Sequence, residues 1–125
     1  MATLLAHFTD LHLPVPAPPR IGALFNKRAL GWLSWSRNRR RRHLRAPLEA
    51  LAADWRAMRG DAAVITGDLV NISLPEEFEA ARLWLAAHFD ARATAFMPGN
   101  HDCYVAADWA SGLGLLAPFM RGARG

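Results

Sequence analysis

Three short apolar runs in this chain each end on polar residues, and this repeated feature restricts the fold more than any other. The runs are residues 3–9, 62–66 and 94–97, and the polar residues that follow them are Asp10 and His12, then Gly67 and Asp68, then Gly99-Asn100-His101-Asp102. Each run has the length and apolar content of a buried strand. Because an unpaired buried polar group costs about 1–3 kcal/mol, the polar turns need a partner, and we expect a metal ion with its substrate.

Segments with helical spacing separate the three runs. Residues 47–59 repeat apolar side chains with the period of a helix, which Gly60 would end. Ser73 to Glu76 has the pattern of a capping box before a second helix that continues to about His88. The inward-facing side chains that we predict for this second helix are Phe78, Ala81, Trp84 and Leu85. The alternation of strands and helices favours an α/β fold with parallel strands, in which ligands bind at the carboxyl ends of the strands.

The remaining segments carry weaker signals. Residues 14–19 contain four prolines and predict an irregular loop, whereas residues 21–35 predict a helix in spite of two glycines. A weak helix is expected at 105–110, and residues 112–125 show little periodicity. No internal repeat is present, so we expect residues 1–125 to form one domain.

Composition limits the function classes. The single cysteine, Cys103, excludes a disulfide framework and a multi-cysteine zinc module, and it fits a reducing, cytoplasmic setting. The amino-terminal residues lack the pattern of a secretory signal, and no apolar run reaches the length of a membrane span. The sequence therefore predicts a cytoplasmic protein that neither enters the secretory pathway nor spans a membrane.

The net charge of +4 is unevenly distributed. Residues 20–45 contain nine Lys or Arg and no acidic residue, while the rest of the chain contains six basic and eleven acidic residues. We interpret this segment as a basic helical insertion. Its Arg37–Arg45 run can be a solvated face, a surface for an anionic membrane or phosphorylated ligand, or a nucleic-acid contact; the neighbouring Trp and Leu residues favour a membrane over nucleic acid.

The polar residues at the strand ends form one candidate site. On extended backbone Asp10 and His12 would point the same way, with Leu11 directed into the core. Carboxylate, imidazole and amide ligands without thiolate suit Mn, Fe, Mg, Zn or Co. Asp68 can bridge two cations with its two oxygens, and such a pair would position a phosphate and activate a water for in-line attack. His101, beside Asn100, would then protonate the leaving oxygen.

Three blocks of the sequence resemble, in order, the first signature blocks of the calcineurin-like metallophosphoesterases. They are Asp10-Leu11-His12, Gly67-Asp68-Leu69-Val70-Asn71 and Gly99-Asn100-His101-Asp102. Each block alone occurs by chance, but three in order after predicted strands are a specific signal. The resemblance spans roughly Thr3 to Tyr104 and implies a four-layer α/β sandwich, of which this chain would contain the β-α-β-α-β first half. The blocks look most like those of bacterial cyclic-nucleotide phosphodiesterases, and lipid A pathway pyrophosphatases begin similarly.

The resemblance also implies roles for individual residues. Asp10 and His12 would bind the first of two divalent metal ions, Asp68 would bridge them, and Asn100 would bind the second. His101 would contact the phosphate or act as the acid, and Asp102 would orient His101. The implied activity is hydrolysis of a phosphomonoester or phosphodiester in a phosphorylated small molecule.

The sequence departs from the family pattern after His101. The family continues with a further His and a Gly-His-x-His block, and this chain has no later histidine. We therefore expect an incomplete second metal site, weak or absent activity of the chain alone, and a truncated or split protein that a C-terminal chain could complement. The alternatives are a non-catalytic binder of an anionic membrane or nucleic acid, which acts through the Arg-rich segment, and a remnant without function.

Overall fold

A computed structural model describes residues 2–16, 18–34, 36 and 45–121. Three strands and four α-helices follow one another in these residues, with 3₁₀ helices at Ile21–Leu24 and Leu113–Leu116. The strands are β1 (Leu5–Thr9), β2 (Ala62–Thr66) and β3 (Thr94–Met97), and the helices are α1 (Arg28–Ser34), α2 (Arg45–Met58), α3 (Pro75–His88) and α4 (Ala117–Met120).

The strands form a single parallel sheet in the order β1-β2-β3. Leu5 pairs with Ala62 at one end of the β1–β2 ladder, and Thr66 pairs with Met97 at the end of the β2–β3 ladder. Parallel pairing brings the carboxyl ends of all three strands to one edge of the sheet. The predicted α/β class and the predicted parallel strands are confirmed, and so are the predicted bounds of β2 and β3.

The sheet has one covered and one open face. Ala63, Ile65 and Phe96 face a core that also contains side chains from α2 and α3, including the predicted Phe78, Ala81, Trp84 and Leu85. On the other face, Leu5 is 58% exposed and Met97 is 66% exposed. The expectation that β1 is a buried strand is wrong, because β1 is an edge strand whose alternate side chains point away from the core.

Three predictions for the loops and helices need correction. Residues 21–35 do not form one helix: the 3₁₀ helix ends at Leu24, and α1 begins at Arg28, with Trp35 outside the described residues. No helix forms at 105–110. The segment after Gly112, which has little periodicity, instead forms a 3₁₀ helix and α4. Leu116 and Phe119 from this segment are buried in the core, so packing rather than amphipathic periodicity determines their structure.

The predicted capping box at Ser73 to Glu76 is one residue out of register. Helix α3 begins at Pro75, and the carboxylate of Glu77 accepts a hydrogen bond of 3.0 Å from the backbone N–H of Leu74. Ser73 has a φ of 58°, and its hydroxyl contacts a neighbouring turn instead. This tertiary contact holds Ser73 away from the capping position, so the helix begins one residue later than predicted.

Two findings bear on a membrane. Among the described residues, no helix is both long and apolar enough to cross a bilayer. Most of the Arg-rich run, residues 37–44, lies outside the described residues.

Candidate metal centre

The turn after β1 is held beside the turn after β2 by backbone hydrogen bonds. The N–H of Asp10 donates to the carbonyl of Gly67 at 3.2 Å, and the N–H of His12 donates to the carbonyl of Asp68 at 2.8 Å. The parallel pairing of β1 and β2 thus continues beyond the strands into their loops. It places the side chains of Asp10, His12 and Asp68 on neighbouring turns.

The backbone at these turns lies in the left-handed region. Asp10 has a φ of 53°, His12 of 42° and Asp68 of 54°. The prediction that Asp10 and His12 lie on extended backbone is therefore wrong, although both still point toward one site. Non-glycine residues in this region cost about 1–3 kcal/mol each and cluster at functional sites. The rest of the fold therefore supports a conformation that these residues would not adopt by themselves.

Asp10, His12 and Asp68 form a cluster suited to a cation. One ligand atom from each of the three side chains lies within 4.8 Å of the others, and Nε2 of His12 is 3.9 Å from Oδ2 of Asp68. His12 is 9% and Asp68 8% exposed, whereas Asp10 is exposed and accepts a hydrogen bond from the Thr9 hydroxyl. Two carboxylates and an imidazole are suitable ligands for a divalent metal ion, so this donor set fits one.

The turn after β3 closes against Asp68. The N–H of His101 donates to Oδ1 of Asp68 at 2.9 Å. Gly99 lies so close that a Cβ on it would be 2.4 Å from Oδ1 of Asp68 and 2.7 Å from the Asp68 nitrogen. Only glycine allows this approach, which fixes the position of the Asp68 carboxylate.

His101 lies beside the three clustered side chains. Its ring centroid is 5.1 Å from that of His12, and its Nδ1 is 2.6 Å from the carbonyl oxygen of Asn71. The ring of Tyr104 is parallel to it at a centroid distance of 5.8 Å. Since a carbonyl oxygen only accepts hydrogen bonds, Nδ1 carries a proton, and Nε2 is the nitrogen that can exchange one.

Asn100 and Asp102 flank His101 but differ in environment. Asn100 is exposed in the turn, between Gly99 and His101 in the chain. Asp102 is 2% exposed, and its carboxylate accepts hydrogen bonds from the backbone N–H groups of Leu69, Val70 and Gly99, at 2.9, 2.9 and 2.8 Å. Asp102 therefore ties the second turn to the third, and the carbonyl of Asn71 is one contact that orients the ring of His101.

Burial raises the pKa of Asp102 above its ordinary value, while the backbone hydrogen bonds from Gly99, Val70 and Leu69 oppose this shift. The nearby charge of Asp68 raises the pKa further. The three N–H donors are thus what allows this carboxyl group to be buried at the junction of the two turns.

Sequence reasoning missed three residues that build the site. Glu77 is 3% exposed and accepts hydrogen bonds from the backbone N–H groups of Asn71, Ile72 and Leu74 and from the Asn71 side chain. The Asn71 side chain also donates to the carbonyl of Leu13 at 2.7 Å, and Oγ of Ser73 accepts from the N–H of Tyr104 at 3.0 Å. The available signal was an Asn, a Ser and a Glu in the few residues after Asp68.

Two other histidines among the described residues, His7 and His88, are not part of the cluster. His7 lies on the open face of the sheet, with Nε2 2.6 Å from the hydroxyl of Thr66. His88 ends α3 and contacts Glu49 at 3.3 Å. His43 lies outside the described residues.

Comparison with known proteins gives one family. The sequence profile of the calcineurin-like phosphoesterases matches residues 3–121, which is nearly the whole chain. The chain therefore belongs to the calcineurin-like phosphoesterase family, as its three blocks predicted. No curated protein matches the chain.

Proposed function

We propose that this protein hydrolyses phosphoester bonds with the help of divalent metal ions held by Asp10, His12 and Asp68. The observation that carries the proposal is the convergence of these three side chains within 4.8 Å at the carboxyl edge of the sheet. Membership of the calcineurin-like phosphoesterases supports the reaction class. The proposed substrates are phosphorylated small molecules.

Different residues of the crevice are proposed to bind each of two metal ions. Asp10 and His12 would hold a first ion, and Asp68 would bridge it to a second ion held by Asn100. When bound, such ions neutralise the negative charge of a phosphate and lower the pKa of a water molecule. The chain's own contribution is to fix Asp68, through the N–H of His101 and the close approach of Gly99.

His101 is the proposed proton donor. Its contact with the Asn71 carbonyl keeps the proton on Nδ1, so a protonated ring presents Nε2–H to the leaving oxygen. The proposal predicts that His101→Gln slows hydrolysis of an alkyl phosphoester more than hydrolysis of a nitrophenyl ester, because nitrophenolate leaves without a proton. Equal losses on both esters would contradict the role as acid.

The second ion is expected to bind more weakly than the first. Within this sequence the proposed ligands for it are Asp68 and Asn100, whereas the first ion has Asp10, His12 and Asp68. Mn²⁺ titration should therefore show one tighter and one weaker event. Two sites of equal affinity would contradict this assignment.

Metal-dependent hydrolysis tests the main proposal. With Mn²⁺, purified protein should hydrolyse a chromogenic phosphodiester or phosphomonoester slowly, because only Asp68 and Asn100 are proposed to hold the second ion. This weak activity should be lost in Asp68→Ala. Asp54→Ala is the matched control, because Asp54 is an exposed carboxylate on α2. Absence of metal-dependent turnover, or turnover that survives Asp68→Ala, would overturn the proposal. A cyclic nucleotide should be included as substrate, since the residues of the first two blocks resemble those of cyclic-nucleotide phosphodiesterases.

A further inference from the structure

The segment 21–34 exposes most of its large apolar side chains. Phe25 is 85% and Ile21 is 81% exposed, and Leu30 and Leu33, three residues apart on α1, are 72% and 45% exposed. The 3₁₀ helix and α1 contain no buried residue, and the two helices contact each other. Single exposed apolar side chains are ordinary, but a group of them in one short unit marks an interaction surface.

The opposite side of the same segment is attached to the site loops by polar groups. The guanidinium of Arg28 donates to the carbonyls of Ile72 and Ser73, at 3.2 and 2.6 Å. The hydroxyl of Tyr104 donates to the carbonyl of Lys27 at 3.2 Å. The segment is thus attached in part by hydrogen bonds, while four of its large apolar side chains face outward. A helix that packs on a water-soluble core normally buries such side chains.

The outward side chains lie close to the catalytic crevice. A cavity of about 160 Å³ is lined by Leu30 and Gly31 on α1 and by Asn71, His101 and Tyr104 on the site loops. A Cβ on Gly31 would be 2.6 Å from the side chain of Ile72, so α1 is packed tightly on these loops. Any surface that covers Leu30 would therefore lie next to His101.

Charge indicates what this surface binds. The segment 20–45 carries nine Lys or Arg and no acidic residue, although the rest of the chain has more acidic than basic residues. Basic residues next to exposed aliphatic and aromatic side chains are typical of segments that bind anionic bilayers. Nucleic acid would use the positive charge but leave Ile21, Leu30 and Leu33 without an apolar partner.

We propose that the segment 21–34 docks the protein on an anionic lipid bilayer, with Ile21, Phe25, Leu30 and Leu33 inserted at the interface. Docking would place the crevice against phosphate groups at the membrane surface, and this last point rests on the proposed phosphoesterase function. The occupant of the apolar surface is thus the bilayer, and the proposed substrates of the docked protein carry their phosphate on a lipid.

Vesicle sedimentation tests the docking without any metal. In the presence of a chelator, the protein should bind phosphatidylcholine vesicles that contain phosphatidylglycerol at least about tenfold better than vesicles of phosphatidylcholine alone. High salt should weaken the binding because it screens the charges. Equal binding to both kinds of vesicle, or no binding to either, would overturn the proposal. Binding of an oligonucleotide without binding of vesicles would assign the segment to nucleic acid instead.

Variants separate the apolar and the basic contributions. The apolar variant combines Ile21→Ser, Phe25→Ser, Leu30→Ser and Leu33→Ser. It should weaken vesicle binding about tenfold or more, because the inserted apolar area is lost. The matched control is Met58→Ser with Leu83→Ser, which removes side chains that are 61% and 55% exposed on α2 and α3. Arg39→Ser with the same change at Arg40, Arg41 and Arg42 should abolish the preference for anionic vesicles. Unchanged binding in the apolar variant, or an equal loss in the control, would contradict the docking surface. Circular dichroism checks that each variant folds, and the single variant Phe25→Ser provides a milder change.

Hydrolysis distinguishes failure of docking from failure of the proposed function. The double variant Ile21→Ser with Phe25→Ser leaves the cavity beside His101 unchanged. With Mn²⁺, it should retain hydrolysis of a soluble chromogenic ester and lose hydrolysis of a phosphorylated lipid in vesicles. Vesicle binding without hydrolysis of any ester would leave the docking intact and overturn the phosphoesterase proposal. Hydrolysis of the soluble ester without vesicle binding would support the phosphoesterase proposal and overturn the docking.

Discussion

The loops after β2 and β3 pack against the segment 21–34, yet the two regions distribute polar and apolar groups in opposite ways. In the loops and the first turn of α3, the carboxylates of Asp68, Glu77 and Asp102 are buried, and backbone N–H groups satisfy them. In the segment, Phe25 and Ile21 are exposed. Burying carboxylates is costly unless they are hydrogen-bonded, and exposing large apolar side chains forgoes stabilisation of about 1.5–3 kcal/mol each.

The comparison shows where the fold depends on internal contacts and where it leaves surface for a partner. The loops obtain their rigidity from hydrogen bonds within the chain. These bonds hold the proposed ligands of a metal ion in place. The segment gains little stability from its apolar side chains, so these are available to a large apolar partner. Substitutions in the loops should therefore change folding, and those in the segment should change binding.

Glu77→Ala should give the largest loss of stability. It removes the acceptor for four donors in the residues after β2, and we expect the free energy of unfolding to fall by about 3–5 kcal/mol in urea denaturation. Glu76→Ala is the control, because Glu76 is exposed in the same helical turn and makes the same interaction with the helix dipole. A loss below about 1 kcal/mol for Glu77→Ala would contradict its role as the anchor of the loop.

Asp102→Asn should cost about 1–3 kcal/mol, because one oxygen is replaced by an NH₂ group that faces backbone donors. Asp54→Asn on the exposed surface of α2 should change stability by less than about 0.5 kcal/mol. Equal stability of the two variants would show that Asp102 does not tie the second turn to the third. Thermal unfolding followed by circular dichroism measures both.

Gly99→Ala tests the close packing of the crevice, and Gly22→Ala is its counterpart in the segment. A methyl group at Gly99 meets Asp68, and we expect a loss of about 1–2 kcal/mol together with weaker Mn²⁺ binding. A methyl group at Gly22 meets no atom within 4 Å, so stability and metal binding should be unchanged. Metal binding that survives Gly99→Ala would show that Asp68 is not held in place by this turn.

Phe25→Ser should have the smallest effect on folding. Its side chain is 85% exposed, so the free energy of unfolding should change by less than about 0.5 kcal/mol in urea denaturation. Phe78→Ala, in the core, should cost about 3–5 kcal/mol. A large loss for Phe25→Ser would mean that the segment contributes to the core, and the contrast between the two regions would be removed.

The sequence predicted the strands and helices whose apolar residues follow a local pattern. The apolar run 62–66 predicted β2, and the helical spacing of apolar residues in 75–88 predicted α3, because both elements bury apolar side chains. The convergence of Asp10, His12 and Asp68 followed from the rule that parallel strands end at one edge of the sheet. That rule needed no knowledge of the backbone angles, which were predicted incorrectly.

The incorrect predictions concern residues whose positions depend on contacts with distant parts of the chain. Ser73 leaves the capping position because its hydroxyl contacts the carbonyls of His101 and Asp102. Leu116 and Phe119 enter the core from a segment without periodicity. The orientation of His101 by the Asn71 carbonyl involves a backbone atom, which no side-chain pattern can reveal.

Binding of Mn²⁺ measured by calorimetry tests the central claim most directly. The wild-type protein and the control Asp54→Asn should bind Mn²⁺ alike, and Asp68→Asn should weaken the affinity by about 100-fold or more, because Asp68 contributes to the cluster that fits the ion. Equal affinity in Asp68→Asn and the wild type would contradict a metal centre at the carboxyl edge of this sheet.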